Sequence, residues 1–401
     1  MRLLTAGESH GPAMTFILEG LPAGIRIDID DVNRDMARRQ SGYGRGRRMA
    51  IESDRVEITA GLRASVTLGS PVCGVIVNKD HANWSQIMSP LEPETDASTD
   101  GLEPVSGNRA NVYLPRPGHA DLTGALKYGQ RDMRNILERA SARETAPRVA
   151  AGAFARQFLN QLGIQIYSHV VSIGEVSDDA SVEEILSNYE KVQSSSVRVL
   201  SERAESQMTD AIDLARSEKD SLGGVFRLIA TGVPPGLGSH VHYDRRLDAQ
   251  ICGALMSIPA VKGVQVGLGF SGASIRGSLF HDQLYRDSES FLGYIRKSNN
   301  AGGIEGGISN GEEITVGVAM KPIPTLMQPL ASFDIRTNQP SEAVKERSDV
   351  TAVPAAAVVG EAVLGLELAS AVLGKFGGDS MSEVISNRDS YMNSCRDMLG
   401  L

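Results

Sequence analysis

The stretch from Ala355 to Leu373 places the tightest limit on how this chain folds. It is apolar nearly all round, broken by Glu361 and Glu367 and containing Gly360 and Gly365. A helix with apolar side chains on every face is covered on most sides, so the stretch predicts a buried helix at the centre of the fold. Its glycines permit close helix packing at a cost in helix propensity. The carboxylates and the length of the run argue against a bilayer span, which needs about 20 apolar residues.

Short apolar or alternating runs bounded by turn residues predict strands at Ala13–Leu18, Ile25–Ile29, Arg55–Thr59, Val72–Val77, Val225–Ala230, Val261–Leu268 and Glu313–Met320. Asp30 or Asp31 is placed to cap a helix running toward Arg39. Leu122, Leu126, Met133, Leu137 and Ala140 recur at helical spacing and predict one helix over Ala120–Ser141. Further helices are expected at Ser181–Lys191, Gln207–Lys219 and Arg246–Met256. Helices and strands alternate without regular βαβ spacing, so the fold class is α+β. The chain reads as a single domain over residues 1–401. Ser89–Gly107, acidic and turn-rich, is expected to be a mobile surface loop.

The formal net charge is −9. Bulk charge therefore does not recruit nucleic acid or an anionic membrane, and any phosphate is held locally. Against that background "RRQSGYGRGRR", from Arg38 to Arg48, has no carboxylate and is broken by Gly42, Gly44 and Gly46. Arginine presents a planar fork matched to phosphate and carboxylate oxygens. A solvated basic loop, an anion site and an RNA-contacting segment all fit the stretch, the last weakened by a single interleaved aromatic, Tyr43. Cys73, Cys252 and Cys395 are far apart and suggest neither a disulfide framework nor a zinc site. The opening "MRLLTAGESHG" lacks the apolar core of a signal peptide, so a soluble, cytoplasmic protein is expected.

Other motifs carry polar chemistry. "GESHG", Gly7–Gly11, presents Ser9 and His10 from a glycine turn, and histidine exchanges protons near neutral pH. "RPGHADL" sets Arg116 and His119 just before a helix start, where anions are favoured. "RASARET" adds Arg139, Ser141 and Arg143; "GGIEGG" and "KPIPT" offer open backbone around Gly306 and over Lys321–Thr325. "RSDV" places Arg347 two residues before Asp349. Turns, helix starts and exposed ion pairs account for each fragment separately. Converging arginines at 39, 45, 116, 143 and 347 would repel one another unless a multiply charged anion sat among them.

In this order, "GESHG", "RRQSGYGRGRR", "RPGHADL", "RASARETAPRVAAG", "SIPAVKGVQVG", "NNAGGIEGGISNG", "KPIPT" and "RSDVTAVPAAAVVGEA" resemble the chorismate synthase family. The resemblance runs from Arg2 to about Ala371. It implies central helices packed between two antiparallel four-stranded sheets, and a homotetramer. It implies 1,4-anti elimination of phosphate from 5-enolpyruvylshikimate 3-phosphate, giving chorismate, with reduced FMN required but no net redox change. NADPH enters only as a source of reducing equivalents.

By the same resemblance His10 and His119 are the proton-transfer pair. His10 keeps the reduced flavin correctly protonated and His119 protonates the departing phosphate. Ser9 and Ser141 orient groups, and Asp349 assists at the flavin N5. Flavin contacts carry over to Arg139, Ala140, Ser141, Pro259, Ala260, Gly306, Lys321, Pro322, Ile323, Pro324, Thr325 and Arg347. Substrate anions carry over to His10, Arg39, Arg45, Arg48, Arg116, Arg143 and Arg347. Arg39 and Arg45 also match positions the family uses for a nicotinamide phosphate. No metal is implied, and neither a nucleic acid nor a membrane partner. Many relatives read "SINA" where this chain has "SIPA", so proline removes an amide side chain and a backbone donor there. A flavin-dependent oxidoreductase and a polyanion-binding protein are the alternative readings.

Overall fold

Alternating inward side chains build two antiparallel sheets. Met14, Phe16 and Leu18 point inward along Ala13–Glu19, the period-two pattern of a half-buried strand. The computed structural model describes residues 1–45, 54–91, 111–344 and 349–401; Arg48, Arg347 and the expected loop from residue 92 onward lie outside the described residues. The first sheet runs in the order Arg2–Ala6, Ala13–Glu19, Val72–Val77, Val56–Ala60. The second runs Val261–Val266, Ile314–Met320, Gly224–Thr231, Gln165–Ile173, Val176–Ser177. The expected four-strand count holds for the first sheet only, because the two-residue strand Val176–Ser177 extends the second to five.

Helices fill the space between the sheets. Helix Thr145–Asn160 packs on the first sheet and helix Val353–Phe376 on the second, and the two lie against each other. Helix Ile29–Gln40 packs on both. The architecture is α+β, a sheet–helix–sheet sandwich. Helix Val353–Phe376 is long and apolar enough to cross a membrane by composition, but it is mostly buried inside the protein. Its approach to the neighbouring helix is close: a Cβ on Gly152 would stand 2.4 Å from that of Ala362.

Several expected elements differ, each for a local reason. Ile25–Ile29 forms only an isolated bridge at Arg26, and Asp28, not Asp30 or Asp31, caps the helix that follows. The single helix over Ala120–Ser141 is two helices, Asp121–Tyr128 and Arg134–Ala140, because Gly129 takes a left-handed conformation and ends the first. Leu126 is therefore exposed, and Arg139 and Arg143 do not share a helix face. The helix expected over Ser181–Lys191 breaks at Asn188, and the one expected from Gln207 starts at Glu202, capped by Ser201. Strand Arg2–Ala6 is short and lacks a turn signal before it, while Gln165–Ile173, though bounded by Gly163 and Gly174, was missed.

One charge sits in the middle of the apolar layer. Glu361, fully buried on the central helix, accepts from Arg38 (Nη2 to Oε1 2.7 Å, Nη1 to Oε2 2.8 Å), Ser168 (2.6 Å), Tyr189 (3.1 Å) and Arg198 (3.1 Å). Arg156 lies 3.0 Å from its other oxygen and also donates to Asp35 at 2.6 Å. Burial alone would push the Glu361 carboxyl up; the charges of Arg38, Arg156 and Arg198 outweigh it and hold the group well below the usual range.

Glu361→Ala leaves three inward-facing guanidinium groups without their shared anion. The expected loss of unfolding free energy is about 3–5 kcal/mol, measured by urea denaturation. A loss below about 1 kcal/mol would mean the cluster behaves as a surface pair does. Because the folded value is depressed, this contribution is full above the unfolded carboxyl value of about 4.3 and disappears as pH falls through the folded value.

Candidate active site

The glycine turn after the first strand delivers Ser9 and His10 onto the helix Arg134–Ala140. The Ser9 amide donates to the Glu138 carbonyl (3.0 Å) and the His10 amide to the Glu138 carboxylate (2.9 Å). His10 Nδ1 lies 2.8 and 3.0 Å from the two carboxylate oxygens, so Nδ1 carries the proton it shares with them. Arg134, one turn earlier, donates to the same carboxylate at 2.8 Å. Burial pushes the Glu138 carboxyl up, but the His10 hydrogen bond and charge, with Arg134, hold it below its ordinary value. The His10 ring stacks on Trp84 with centroids 3.9 Å apart, and Arg134 lies over the same indole. His81 donates to the His10 carbonyl at 3.0 Å.

Ser141, the cap of the short turn after that helix, donates to Ser9 Oγ at 3.3 Å. Two residues on, Arg143 makes a two-pronged pair with Asp54 (2.9 and 3.1 Å) and donates to Asn78 Oδ1 at 2.7 Å. Asn78 in turn donates to the carbonyls of Glu8 and Gly11, locking the serine–histidine turn to Arg143. Arg39 reaches the same place from the end of its helix, with Nη1 3.7 Å from Asp54 and Nε donating to Thr145 at 3.0 Å. Ser9, His10, Arg39, Ser141 and Arg143 therefore form one connected group. Arg139 holds the scaffold of that group, donating to Thr5 and to the Gly7 carbonyl; Ala140 lies between it and Ser141, half-buried.

A second unit is built on Asp121. Its carboxylate takes Arg116 Nε (2.8 Å) and Nη2 (3.0 Å) and His119 Nδ1 (2.5 Å). Burial would raise this carboxyl; the His119 and then the Arg116 hydrogen bonds reverse that and hold it far below the usual range. Nδ1 of His119 is thus committed, which leaves Nε2 for chemistry. Arg116 Nη1 reaches Thr325 Oγ1 at 3.3 Å, and Lys321 donates to the Gly118 carbonyl. Gly118 takes φ +78°, and a Cβ there would stand 3.4 Å from Pro324. "RPGHADL" and "KPIPT", far apart in sequence, meet face to face; Ser221 fixes the second by donating to the Ile323 carbonyl. Different carboxylates hold the two histidines, and packing between helices Asp121–Tyr128 and Arg134–Ala140 connects the units.

Pro259 and Ala260 adjoin this second unit. The Val261 amide donates to Ile258, Ala260 takes φ +67°, and Pro259 sits at the second position, the arrangement of a type II turn. Proline suits that turn because its fixed φ matches the position, which gives "SIPA" a physical basis. The Ala260 carbonyl accepts from the Lys321 amide at 3.0 Å, joining the turn to Lys321 and Pro322. Gly306 occupies a two-glycine hairpin turn at φ +60° with no atom within 4 Å of where a Cβ would lie. No described contact brings Gly306 to either histidine unit.

Asp349 pairs with Arg45 at 2.8 Å; Arg347, the other half of the ion pair considered from the sequence, lies outside the described residues. Where it is described, the glycine-broken stretch is held at several points: the Tyr43 amide donates to the Ser196 carbonyl, the Val350 amide to the Gly44 carbonyl, and Gly42 and Gly44 take positive φ against Pro354 and Thr351. The reading that converging arginines need an outside anion is corrected, since Asp54, Asp121 and Asp349 supply counter-charge from the chain itself. Sequence reasoning did not place Asp121, Glu138, Asp54, Asn78, Trp84 or Arg134 in the site. Trp84, the single tryptophan, was the one with a compositional signal.

A sequence model of the chorismate synthase family matches residues 1–373. The chain is 56% identical over 398 residues to the chorismate synthase of Desulforudis audaxviator, covering 99% of this chain and 98% of that one. It is 51% identical over 401 residues to that of Geobacter sulfurreducens, covering 99% of each. A crystal structure of a chorismate synthase superposes with a TM-score of 0.77 at 41% identity, covering 99% of this chain and 98% of the other. On sequence and on fold, this chain belongs to the chorismate synthase family.

Proposed function

We propose that the two histidine–carboxylate units are the proton-handling machinery of the family's elimination. As a member of the family the chain is a lyase of the shikimate pathway, acting on 5-enolpyruvylshikimate 3-phosphate to give chorismate with a flavin. The observation that carries the proposal is His119 held at Nδ1 by an ionised, buried Asp121 beside Arg116. A carboxylate in that position fixes the tautomer and stabilises the imidazolium, as in other acid–base dyads.

In this reading the substrate phosphate lies between Arg116 and His119. As the C3–O bond breaks, its electron pair leaves with the phosphate, and the Nε2 proton of His119 neutralises the developing charge. Arg39, Arg45 and Arg143 bind the remaining anionic groups, with Arg48 and Arg347 assigned alongside them. Ser9 and Ser141 orient the bound groups, and Asp349 positions Arg45 and assists removal of the C6 hydrogen. Glu138, Arg134 and Trp84 fix the His10 ring.

FMN is the flavin we assign, held through Arg139–Ser141, Pro259, Ala260, Gly306 and Lys321–Thr325. The residues allow a close ligand approach: Gly306 leaves open space where a side chain would stand. Reduced FMN, when bound, would supply transient electron density as phosphate leaves, without net redox change. NADPH is assigned only as a source of electrons for it. The comparisons give no support to an oxidoreductase or a polyanion binder. Side chains of Arg38, Arg39 and Arg45 are 16% exposed or less, poorly placed to track a nucleic-acid backbone.

The chain is proposed to work as one domain over residues 1–401, as a cytoplasmic homotetramer. Unpaired Cys73, Cys252 and Cys395 suit a reducing compartment. Exposed Phe270, Leu279, Leu284 and Met256 offer apolar surface for assembly. Sedimentation should give the mass of four chains; a monomer at micromolar concentration would refute the assembly.

Anaerobic phosphate release from 5-enolpyruvylshikimate 3-phosphate is expected only with reduced FMN, and release without it would overturn the flavin assignment. His119→Ala should lower kcat by about 10²–10⁴-fold with little change in KM. Asp121→Asn should lower kcat and also raise KM, because it loosens Arg116. Wild-type turnover in His119→Ala would remove it as the acid.

A further inference from the structure

A cleft of about 570 Å³ lies apart from both histidine units. The Gly232–Pro235 turn, the strand Tyr294–Arg296, the Asn310–Glu312 turn and the C-terminal helix Met381–Met398 form its walls. One wall, with Arg388 and Met392, lies beyond residue 373, where the match to the family's sequence model stops. The size is that of a small-molecule site.

Two residues that line this cleft, Arg296 and Asn310, each keep a buried side-chain donor without an acceptor among the described residues. The Arg296 side chain is 6% exposed; its Nη1 donates to the Asn310 carbonyl (3.3 Å) and its Nη2 to Glu305 (2.9 Å), while Nε has no partner among the described residues. Asn310 is 8% exposed; its Oδ1 accepts from the Glu312 amide (3.0 Å), while Nδ2 has no partner among the described residues. Buried donors of this kind cost free energy until an acceptor reaches them. A carboxylate offers two acceptor oxygens, the kind of partner that both donors lack.

Glu312, two residues on, lines the same cleft. Its nearest cation, Arg296 Nη1, stands 3.7 Å away. Burial pushes its carboxyl up; Arg296 opposes this, and Glu313 and Asp282 add to it. An ammonium group would complete the charge balance there. Phe291, Tyr294, Pro235 and Met392 supply flat or adaptable apolar wall.

We propose that this cleft binds an aromatic α-amino acid, its carboxylate on Arg296 and Asn310, its ammonium on Glu312 and its ring against Phe291, Tyr294 and Pro235. Isothermal titration of the full chain with L-phenylalanine tests it. Saturable one-to-one binding with Kd below about 1 mM is expected. Benzoate and phenethylamine, each lacking one charged group, should bind more weakly. Asn310→Leu should weaken L-phenylalanine by about tenfold or more. Met392→Trp, which fills the cleft from the C-terminal helix, should abolish binding. Both variants should retain phosphate release from 5-enolpyruvylshikimate 3-phosphate, and Met392→Trp carries the test if Asn310→Leu does not fold. No saturable heat up to about 10 mM would overturn the proposal. So would unchanged affinity in a folded variant, or phenethylamine binding as tightly as L-phenylalanine.

Discussion

Placing Glu361 in the middle of the apolar layer obliges the chain to bring cations to it. An isolated carboxylate there would be too costly to keep ionised. Arg38, Arg156 and Arg198 answer it from three separate segments, with Ser168 and Tyr189 completing its acceptors. The cluster therefore fixes helix Ile29–Gln40, helix Thr145–Asn160 and the second sheet relative to the central helix. Apolar packing brings these layers together but tolerates sliding; a carboxylate with defined acceptor directions does not. The site depends on that registration, because successive helical residues point in different directions. Arg38 turns to Glu361, and so Arg39 is presented to Asp54 and Thr145. The arginine-rich stretch begins with one residue that belongs to the core and a second that belongs to the site.

Pairing with internal carboxylates resolves how an acidic protein gathers arginines around the two histidine units. Asp54 serves Arg143 and Arg39, Asp121 serves Arg116 and His119, and Asp349 serves Arg45. Each cation is oriented before any ligand arrives, which removes part of the ordering cost of binding. The pairing also limits the repulsion that would otherwise oppose folding. The anions of a ligand then compete with, or join, carboxylates already in place, and discrimination rests on geometry rather than on net charge.

The sequence made the apolar centre legible because nearly every face of Ala355–Leu373 is apolar, and only a central helix buries all of them. Alternation revealed Ala13–Leu18 and Val72–Val77, whose inward residues occupy every second position. It missed Arg2–Ala6, a partly exposed strand whose residues, Arg-Leu-Leu-Thr-Ala, do not alternate apolar with polar although their exposure does. Gly129 was in plain view, yet helical spacing continued across it, and periodicity was followed where backbone conformation decided. The site was legible as a set of fragments, since glycine turns and helix starts mark themselves locally. Their partners were not. Asp54 and Asn78 carry no local signal, because their roles arise only when the first sheet sets them beside Arg143.

The substitution of proline in "SIPA" shows why a side-chain comparison alone misjudges a site. Losing an amide suggests a lost contact. In three dimensions the position is the second of a turn whose next residue, Ala260, takes φ +67°. That conformation strains alanine, and a proline before it restricts the chain to the few backbone states from which the turn forms. The turn matters because the Ala260 carbonyl accepts from Lys321, which itself reaches Gly118 beside His119. Backbone geometry at 259–260 is thus transmitted to the turn that carries His119 by two successive contacts. Proline keeps that path whatever it removes in direct contact, so the framework around residues 259–260 is held by backbone rather than by a side chain.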